Sequence, residues 1–301
     1  MKTIKPKKLQ KGDTIGILAI SGKINDFKNI KKAKNFFEEQ GYNVVISNTC
    51  NSSHRYMAGT SDDDCVNELH NFFENKNIDA IVCARGGYGT LRLINKIDWN
   101  IIKSNPKIFA GYSDITILLN MIYKKTGLIS FHSAMPNGDF ASVIETYTKE
   151  SFFNCLTGNL KEIKSNGKTF FEGEANGKIW GGNLSTLVSL CGIDFIPDED
   201  LILILEDLNE PVYKIDKMIT QLFNIEKIRQ NVKGIALGEF KDCNKEELDE
   251  IIKELANKIK VPILDGFKIT HNKIKDTIPI GITAKLNTES KTLKFMEDSL
   301  L

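Results

Sequence analysis

The segment KIFAGYSDITILLNMIYKK, residues 107–125, contains an apolar strand, a short turn and a helix in immediate succession. The apolar run before Gly111 is typical of a buried strand, and the residues from Ile115 onward favour a helix. A strand that leads directly into a helix is the repeating unit of parallel α/β sheets. This segment therefore predicts an α/β fold.

The same alternation of strand and helix extends from this segment to the amino terminus. In order, the predicted elements are the strand TIGILAI (14–20), a helix that runs through Gln40 and is ended by Gly41, the strand NVVIS (43–47), a helix at 62–75, the strand DAIVCA (79–84) and a helix at 90–96. Strands that alternate with helices predict parallel pairing, with helices on both faces of the sheet.

Residues 136–176 lose this alternation, so we expect a domain junction near residue 165. The prediction is an N-terminal α/β domain at 1–165 and a smaller mixed α/β domain at 166–301. The second domain is predicted to contain a helix at 183–192, a strand at 201–206, a helix at 211–229, a strand at 233–240, a helix at 244–259 and the segment VPILDGF at 261–267.

Composition excludes several classes of function. The chain of 301 residues carries 40 basic and 39 acidic residues, a net charge of +1, which gives no field that would select nucleic acids or membrane surfaces. The amino terminus has no cleavable signal and no long apolar run, so we expect a cytoplasmic protein. The six cysteines and four histidines lack the close spacings of metal sites, which predicts reduced thiols, no metal and no cofactor.

Ser113 is the first candidate for chemistry, because it lies between the predicted strand and helix of the opening segment. Such a turn lifts a hydroxyl clear of the sheet, and the N–H of the next residue can face a developing oxyanion. An ordinary helix cap is the competing interpretation, since Ser and Asp are favoured caps. The fifth position of the motif is also Ile115 rather than the glycine of G-x-S-x-G.

A glycine-rich loop, Arg85 to Gly89, follows the strand DAIVCA. Glycines allow backbone amides to approach a ligand closely. The spacing matches neither of the common phosphate-binding loops, and no lysine follows the glycines. A tight turn and a ligand loop both remain open.

Two further segments carry candidate acids and bases. Glu206 and Asp207 follow the apolar strand LILIL, and strand ends are where α/β proteins build sites, although a solvated acid is the commoner outcome. His271 lies in a loop after the strand VPIL, and His132 ends the apolar run LISFH. Either histidine could serve as a general base, and spacing alone does not choose between them.

Seven segments of the chain, taken in order, resemble the LD-carboxypeptidase family of serine peptidases, which includes murein tetrapeptide carboxypeptidases and microcin immunity peptidases. They are GDTIGILAIS (12–21), ARGGYG (84–89), GYSDIT (111–116), FHSAM (131–135), WGGNLS (180–185), LILED (203–207) and the GF…H segment that ends at His271. The resemblance spans nearly the whole chain. It departs at Cys65, where similar proteins often carry an arginine after the acidic cluster.

The resemblance implies a catalytic triad of Ser113, Glu206 and His271, and so decides against His132 as the base. It also implies an N-terminal domain like the class I glutamine amidotransferase fold, a C-terminal domain that closes the site, and a homodimer. The expected oxyanion donors are the backbone N–H groups of Gly87 and Asp114.

The same resemblance implies a carboxypeptidase whose substrate is a small peptide. The expected substrate contacts are Arg85, Tyr88, Trp180 and Asn183. Among them Arg85 is the candidate for the terminal carboxylate, which a guanidinium binds bidentately.

The expected reaction releases terminal D-Ala from a cytoplasmic murein tetrapeptide during peptidoglycan recycling. One alternative is an immunity-type peptidase that cleaves peptidyl or aminoacyl nucleotides, in which Trp180 could stack on a base. A second alternative is a protein that binds peptides without cutting them.

Overall fold

The structure is a computed structural model that describes residues 2–301. The first half contains β1 (Thr14–Leu18), α1 (Phe27–Glu39), β2 (Asn43–Ile46), β3 (Ser53–His54), β4 (Met57–Ala58), α2 (Asp62–Glu74), β5 (Ala80–Cys83), α3 (Trp99–Ser104), β6 (Ile108–Gly111), α4 (Thr116–Thr126), β7 (Ser130–His132) and α5 (Thr146–Leu156). Single helical turns lie at Asn48–Cys50, Thr90–Arg92, Ser113–Ile115 and Pro136–Phe140.

The second half contains β8 (Glu162–Lys164), β9 (Thr169–Phe171), β10 (Glu174–Asn183), α6 (Leu184–Val188), β11 (Leu201–Leu208), α7 (Val212–Asn224), α8 (Glu226–Asn231), β12 (Val232–Lys241), α9 (Lys245–Ile259), β13 (Ile263–Leu264), β14 (Ile278–Ile280), β15 (Thr283–Asn287) and β16 (Thr292–Phe295).

The first sheet has the strand order β14-β7-β6-β5-β1-β2. Strands β1, β2, β5, β6 and β7 of this sheet are parallel, and β14 pairs antiparallel with β7. The residues of β5, β6 and β7 are buried, as expected for parallel strands that are covered on both faces. The loops that follow β1, β5 and β6 therefore leave the sheet at one edge, where α/β proteins place their sites.

The second sheet has the order β8-β16-β15-β10-β11-β12-β13-β9. Its centre is the parallel set β10 to β13, and antiparallel strands flank this set on both sides. Strand β11 is buried up to Asp207, because its apolar residues lie between neighbouring strands and the covering helices. Both the end of β11 and the loop after β13 lie at the carboxyl edge of this parallel set.

The predicted α/β class, with a parallel sheet in the first half and a mixed α/β second half, is confirmed. The boundary near residue 165 and the glutamine amidotransferase-like label stay predictions. One strand crosses between the halves, since β14 comes from the second half and completes the first sheet.

Asn120 also joins the two halves. Its buried side-chain amide donates to the carbonyl oxygen of Gly181 at 2.9 Å and accepts from the N–H of the same residue at 2.9 Å. The Asn120 side chain thus makes the hydrogen bonds to Gly181 that a neighbouring strand would otherwise make, and it links α4 to β10.

Three predicted helices differ in the structure. Residues 90–96 form only the turn Thr90–Arg92, whose first residue is held to Asp114 by the N–H and the hydroxyl of Thr90. The helix at 211–229 is divided into α7 and α8 by Ile225, whose backbone is extended. The helix at 183–192 ends at Val188 and continues only as turns. No helix within residues 2–301 has both the length and the apolar character needed to cross a membrane.

Candidate active site

Ser113 lies in a strained turn at the carboxyl end of β6. Its φ is 63°, a left-handed conformation that non-glycine residues rarely adopt and that costs on the order of 1–3 kcal/mol. The side chain is partly exposed, whereas both its neighbours, Tyr112 and Asp114, are buried. The Ser113 hydroxyl is thus the accessible group in an otherwise buried strand-to-helix connection.

Asp114 holds this turn in place. Its Oδ2 accepts a hydrogen bond from the Ser21 hydroxyl at 2.7 Å and another from the Thr90 N–H at 3.0 Å. The Thr90 hydroxyl donates to the Asp114 carbonyl oxygen at 2.7 Å. The buried Asp114 side chain therefore connects the loops after β1, β5 and β6, and only its backbone N–H is a candidate oxyanion donor.

The glycine loop lies directly against the serine. A Cβ atom on Gly86 would lie 2.7 Å from Ser113 Cβ and 2.8 Å from Ser113 Oγ, so only glycine fits at this position. Gly87 has a φ of 119°, and within residues 2–301 its N–H donates to no other group. The sequence predicts Gly87 as an oxyanion donor but does not single out Gly86. Glycine is needed at position 86 because a larger side chain would collide with Ser113.

Glu206 and His271 form a hydrogen-bonded pair. His271 Nδ1 lies 2.7 Å from Glu206 Oε2, and the Glu206 side chain is completely buried. A neutral His271 that donates from Nδ1 to the carboxylate leaves Nε2 as a proton acceptor. The pair is therefore arranged as a general base with an orienting acid.

The Ser113 turn and this pair are neighbours without a direct hydrogen bond. The His271 ring packs edge-on against Tyr112, the residue before Ser113, with 4.9 Å between ring centroids. In the described part of the chain no hydrogen bond joins Ser113 Oγ to His271. Catalytic contacts of this kind are often long before substrate binds.

Comparison with known proteins identifies the family of the chain. The chain matches the LD-carboxypeptidase N-terminal domain over residues 15–133 and the LD-carboxypeptidase C-terminal domain over residues 176–286. The chain belongs to the LD-carboxypeptidase family.

Individual relatives of this LD-carboxypeptidase cover nearly its full length. It is 36% identical to the "Probable murein peptide carboxypeptidase" of Bacillus subtilis, over 96% of this chain and 93% of the relative. It is 27% identical to the microcin C7 self-immunity protein MccF of Escherichia coli, over 96% and 94% of the two chains. The crystal structure of an MccF-like protein from Bacillus anthracis superposes with a TM-score of 0.89 at 30% identity, over 97% of this chain and 99% of the other. These relatives support a peptidase that acts as a carboxypeptidase.

The second candidate histidine lies in the core of this LD-carboxypeptidase. His132 is fully buried, and burial lowers its pKa to about 4, so the ring is neutral at pH 7. Its Nδ1 is unpaired within residues 2–301, and its ring centroid lies 6.0 Å from that of Tyr112. His132 therefore underlies the site and is closed to substrate.

Asp207, the second acid at the end of β11, has a structural role. It accepts hydrogen bonds from the Asn183 side chain at 3.0 Å and from the Ser185 N–H at 2.8 Å, although burial raises its pKa. Asn183 is itself buried and caps α6. Both groups of the Asn183 amide are thus already bonded within the protein.

Trp180 is not placed where a ligand could touch it. The side chain is fully buried on β10, and its ring packs against Phe195 with 5.6 Å between centroids. The expectation that Trp180 contacts substrate or stacks on a base is therefore wrong for this conformation. Trp180 lies in the buried second half of β10 and is a core residue.

Arg85 and Tyr88 lie at the rim of the glycine loop. Arg85 donates from Nε to the Gly86 carbonyl oxygen at 3.2 Å and from Nη1 to the Lys23 carbonyl oxygen at 2.9 Å. Tyr88 is 44% exposed, and its ring lies 5.8 Å from that of Tyr56, which is also exposed. The structure therefore leaves Tyr88 open to solvent and holds the Arg85 guanidinium against backbone.

A cavity of about 1230 Å³ opens beside His271. It lies between the end of β12, the first turns of α9 and the loop after β13. Its lining includes lysine, carboxylate and apolar side chains. Residues 2–301 contain no cluster of His, Cys, Asp and Glu that could hold a metal ion.

Proposed function

We propose that this LD-carboxypeptidase is a serine peptidase that releases terminal D-Ala from a murein tetrapeptide by cleaving the amide bond to the L-centred third residue. The observation that carries the proposal is the 2.7 Å contact between the buried Glu206 and His271, beside the partly exposed turn of Ser113. An acid that orients a histidine next to an accessible serine is the arrangement of acyl-transfer enzymes.

In the first step Ser113 Oγ attacks the carbonyl carbon of the scissile amide, and His271 Nε2 takes the hydroxyl proton. The backbone N–H groups of Gly87 and Asp114 are the proposed donors to the tetrahedral oxyanion, and one such donor is typically worth about 10²–10³ in kcat. The C–N bond then breaks, and His271 passes its proton to the departing amino group of D-Ala.

In the second step water adds to the acyl-enzyme. His271 removes a proton from this water as it attacks the ester carbon, and then returns the proton to Ser113 Oγ when the ester bond breaks. Glu206 stays ionised throughout, holds the Nδ1–H tautomer and stabilises the imidazolium.

The substrate assignment rests on the relatives and on the chemistry of a carboxypeptidase. A terminal carboxylate needs a cation near the serine, and Arg85 is the proposed partner because its guanidinium has more N–H groups than the two that bond to backbone. The proposal also includes a cytoplasmic homodimer that acts in peptidoglycan recycling.

The test is release of D-Ala from a murein tetrapeptide, detected by mass spectrometry. We expect release by the wild type and a loss of at least about 10⁴-fold in Ser113→Ala, as for other removed nucleophiles. Ser189→Ala, which changes an exposed serine on another part of the surface, is the matched control and should keep full activity. Equal activity of Ser113→Ala and wild type would contradict the proposal.

The similarity to the microcin C7 self-immunity protein supports a second candidate, cleavage of peptidyl or aminoacyl nucleotides. An aminoacyl sulfamoyl adenosine is therefore the second substrate of the assay. Cleavage of this compound without D-Ala release would favour the second candidate. Absence of both activities would favour a protein that binds peptides without cutting them.

A further inference from the structure

A buried ion pair lies behind the candidate active site. The ammonium of Lys275 is 2.7 Å from Asp139 Oδ1, and the Lys275 side chain is 2% exposed. Lys275 comes from the loop between β13 and β14, whereas Asp139 comes from the turn after β7. A charged pair in such a position is costly to desolvate, so it adds little stability compared with apolar packing and calls for another explanation.

Tyr112 connects this pair to His271. The Lys275 Nζ lies 4.0 Å from the centre of the Tyr112 ring, and the centre of the His271 ring lies 4.9 Å from the same point. The ammonium is therefore at most about 9 Å from the centre of the imidazole, and both groups pack against the Tyr112 ring. Burial also raises the pKa of Tyr112 far above its usual value, so this ring stays neutral.

We propose that Lys275 is a positioning residue whose buried ammonium, packed with His271 against the Tyr112 ring, sets the pH at which His271 gains a proton. This inference rests on the proposed function only in that His271 is the general base. The base must be neutral to accept the Ser113 proton, and a nearby cation opposes its protonation. Lys275 would thus keep the enzyme active at a lower pH.

Other charged and titratable groups face the same site from the neighbouring elements. They are Glu206 on β11, Glu239 and Lys241 on β12, His132 on β7 and Asp139 in the turn after β7. Burial lowers the pKa of Lys275, while Asp139 and Glu206 counteract that shift and favour the charged ammonium.

The size of the effect follows from Coulomb's law. At about 9 Å, with an effective dielectric constant between about 20 and 80, one unit charge moves a titration midpoint by roughly 0.3–1.3 pH units. Replacing Lys275 with Met leaves Asp139 without its cation, so the local potential becomes more negative and the His271 midpoint should rise by this amount.

The experiment is an NMR titration of the imidazole carbon-bound protons in the full-length protein. The chain has four histidines, and a His271→Gln variant assigns the His271 signal. We expect Lys275→Met to raise the His271 midpoint, Lys275→Arg to leave it within about 0.2 units, and Lys275→Met with Asp139→Asn to return it toward the wild-type value. Asp139→Asn alone leaves the ammonium without its carboxylate and should lower the His271 midpoint. This variant provides the test if Lys275→Met fails to fold.

Lys107 offers a matched control. It is also a buried lysine, but it lies at the opposite end of β6 and donates to the carbonyl oxygens of Phe72 and Asn75. Lys107→Met should leave the His271 midpoint unchanged. The inference would be overturned if the His271 midpoint stayed unchanged in Lys275→Met and in Asp139→Asn. It would also be overturned if the midpoint shifted in the same direction in both variants. The titration needs no substrate, so this result stays separate from a failure of D-Ala release, which would count against the proposed function alone.

Discussion

The oxygen atoms of Glu206 have different environments. Oε2 bonds to His271, whereas Oε1 is buried and has no partner in the described part of the chain. A charge held in this way costs desolvation energy, which is compensated only if the carboxylate has a task in orienting and stabilising the histidine. Activity should therefore depend on the charge of Glu206 as well as on its shape.

Glu206→Gln tests this dependence at constant size. We expect kcat for D-Ala release to fall about 10³–10⁴-fold with little change in KM, because an amide favours the wrong tautomer of His271. Steady-state kinetics on the tetrapeptide measure the loss. Glu250→Gln, which changes an exposed glutamate on α9, should keep wild-type rates; a Glu206 variant with comparable rates would exclude its catalytic role.

His132 should make the protein less stable in acid. Its pKa is about 4 when folded, below the ordinary value of 6.5, so between these pH values the unfolded chain binds a proton that the folded chain does not. Stability is then lost as pH falls, by about 2 kcal/mol between pH 7.5 and pH 5.

Urea unfolding of the wild type and of His132→Asn at these two pH values gives the contribution of His132 as a difference. The difference is needed because Asp276, whose pKa is raised by burial to about 6, titrates in the same window with the opposite sign. Its contribution to stability is present at low pH and is lost as pH rises through 6. If the free energy of unfolding changed by the same amount between the two pH values in both proteins, His132 would have to be protonated in the folded state at pH 5.

At the scale of elements, the turn after β6 and the glycine loop after β5 have to approach each other closely. Gly86→Ala should lower kcat about 100-fold, since the added methyl group would displace Ser113, and a misplacement of about 1 Å costs this much. Gly138→Ala is the control, because a Cβ at Gly138 would meet nothing within 4 Å. Full activity of Gly86→Ala in the D-Ala assay would mean that the loop can move away from the serine.

The sequence predicted elements well where local pattern decides them. Strands β1, β5, β6 and β11 are continuous apolar runs, and the turn at Ser113 follows one of them. Residues 90–96 fit a helical pattern, but only the turn Thr90–Arg92 forms, and its contact with Asp114, which is distant in sequence, leaves no local signal.

Other contacts around the site are also set by tertiary structure. In the segment GKIWGG, where glycines precede and follow a short apolar pair, periodicity does not reveal whether Trp180 faces a ligand or the core. The position of Lys275 beside Tyr112 depends on the path of the loop from β13 to β14, which no local pattern encodes. The local feature that marks Lys275 in the sequence is its place, with Asp276, directly before the apolar segment TIPI at 277–280.

At the scale of the whole molecule, Asn120 joins two units that the sequence pattern distinguishes. Asn120→Leu leaves the N–H and carbonyl oxygen of Gly181 without their partner, and each buried unsatisfied group costs about 1–3 kcal/mol. We expect the free energy of unfolding to fall by about 2–4 kcal/mol in urea titrations. Asn71→Leu, an exposed asparagine on α2, should change stability by less than about 0.5 kcal/mol; equal losses in both variants would argue against the inter-unit role.

Strand β14 imposes an order on folding during synthesis. Its partner β7 leaves the ribosome first, and residues 133–277 must follow before Ile278 can pair with His132. Until then the buried strand β7 is left at the edge of the first sheet without its partner, and an unpaired edge strand is a template for pairing with other chains. The nascent protein therefore depends on Ile278–Ile280 to cover β7, and a product that stops before residue 278 should be a target for chaperones and proteases.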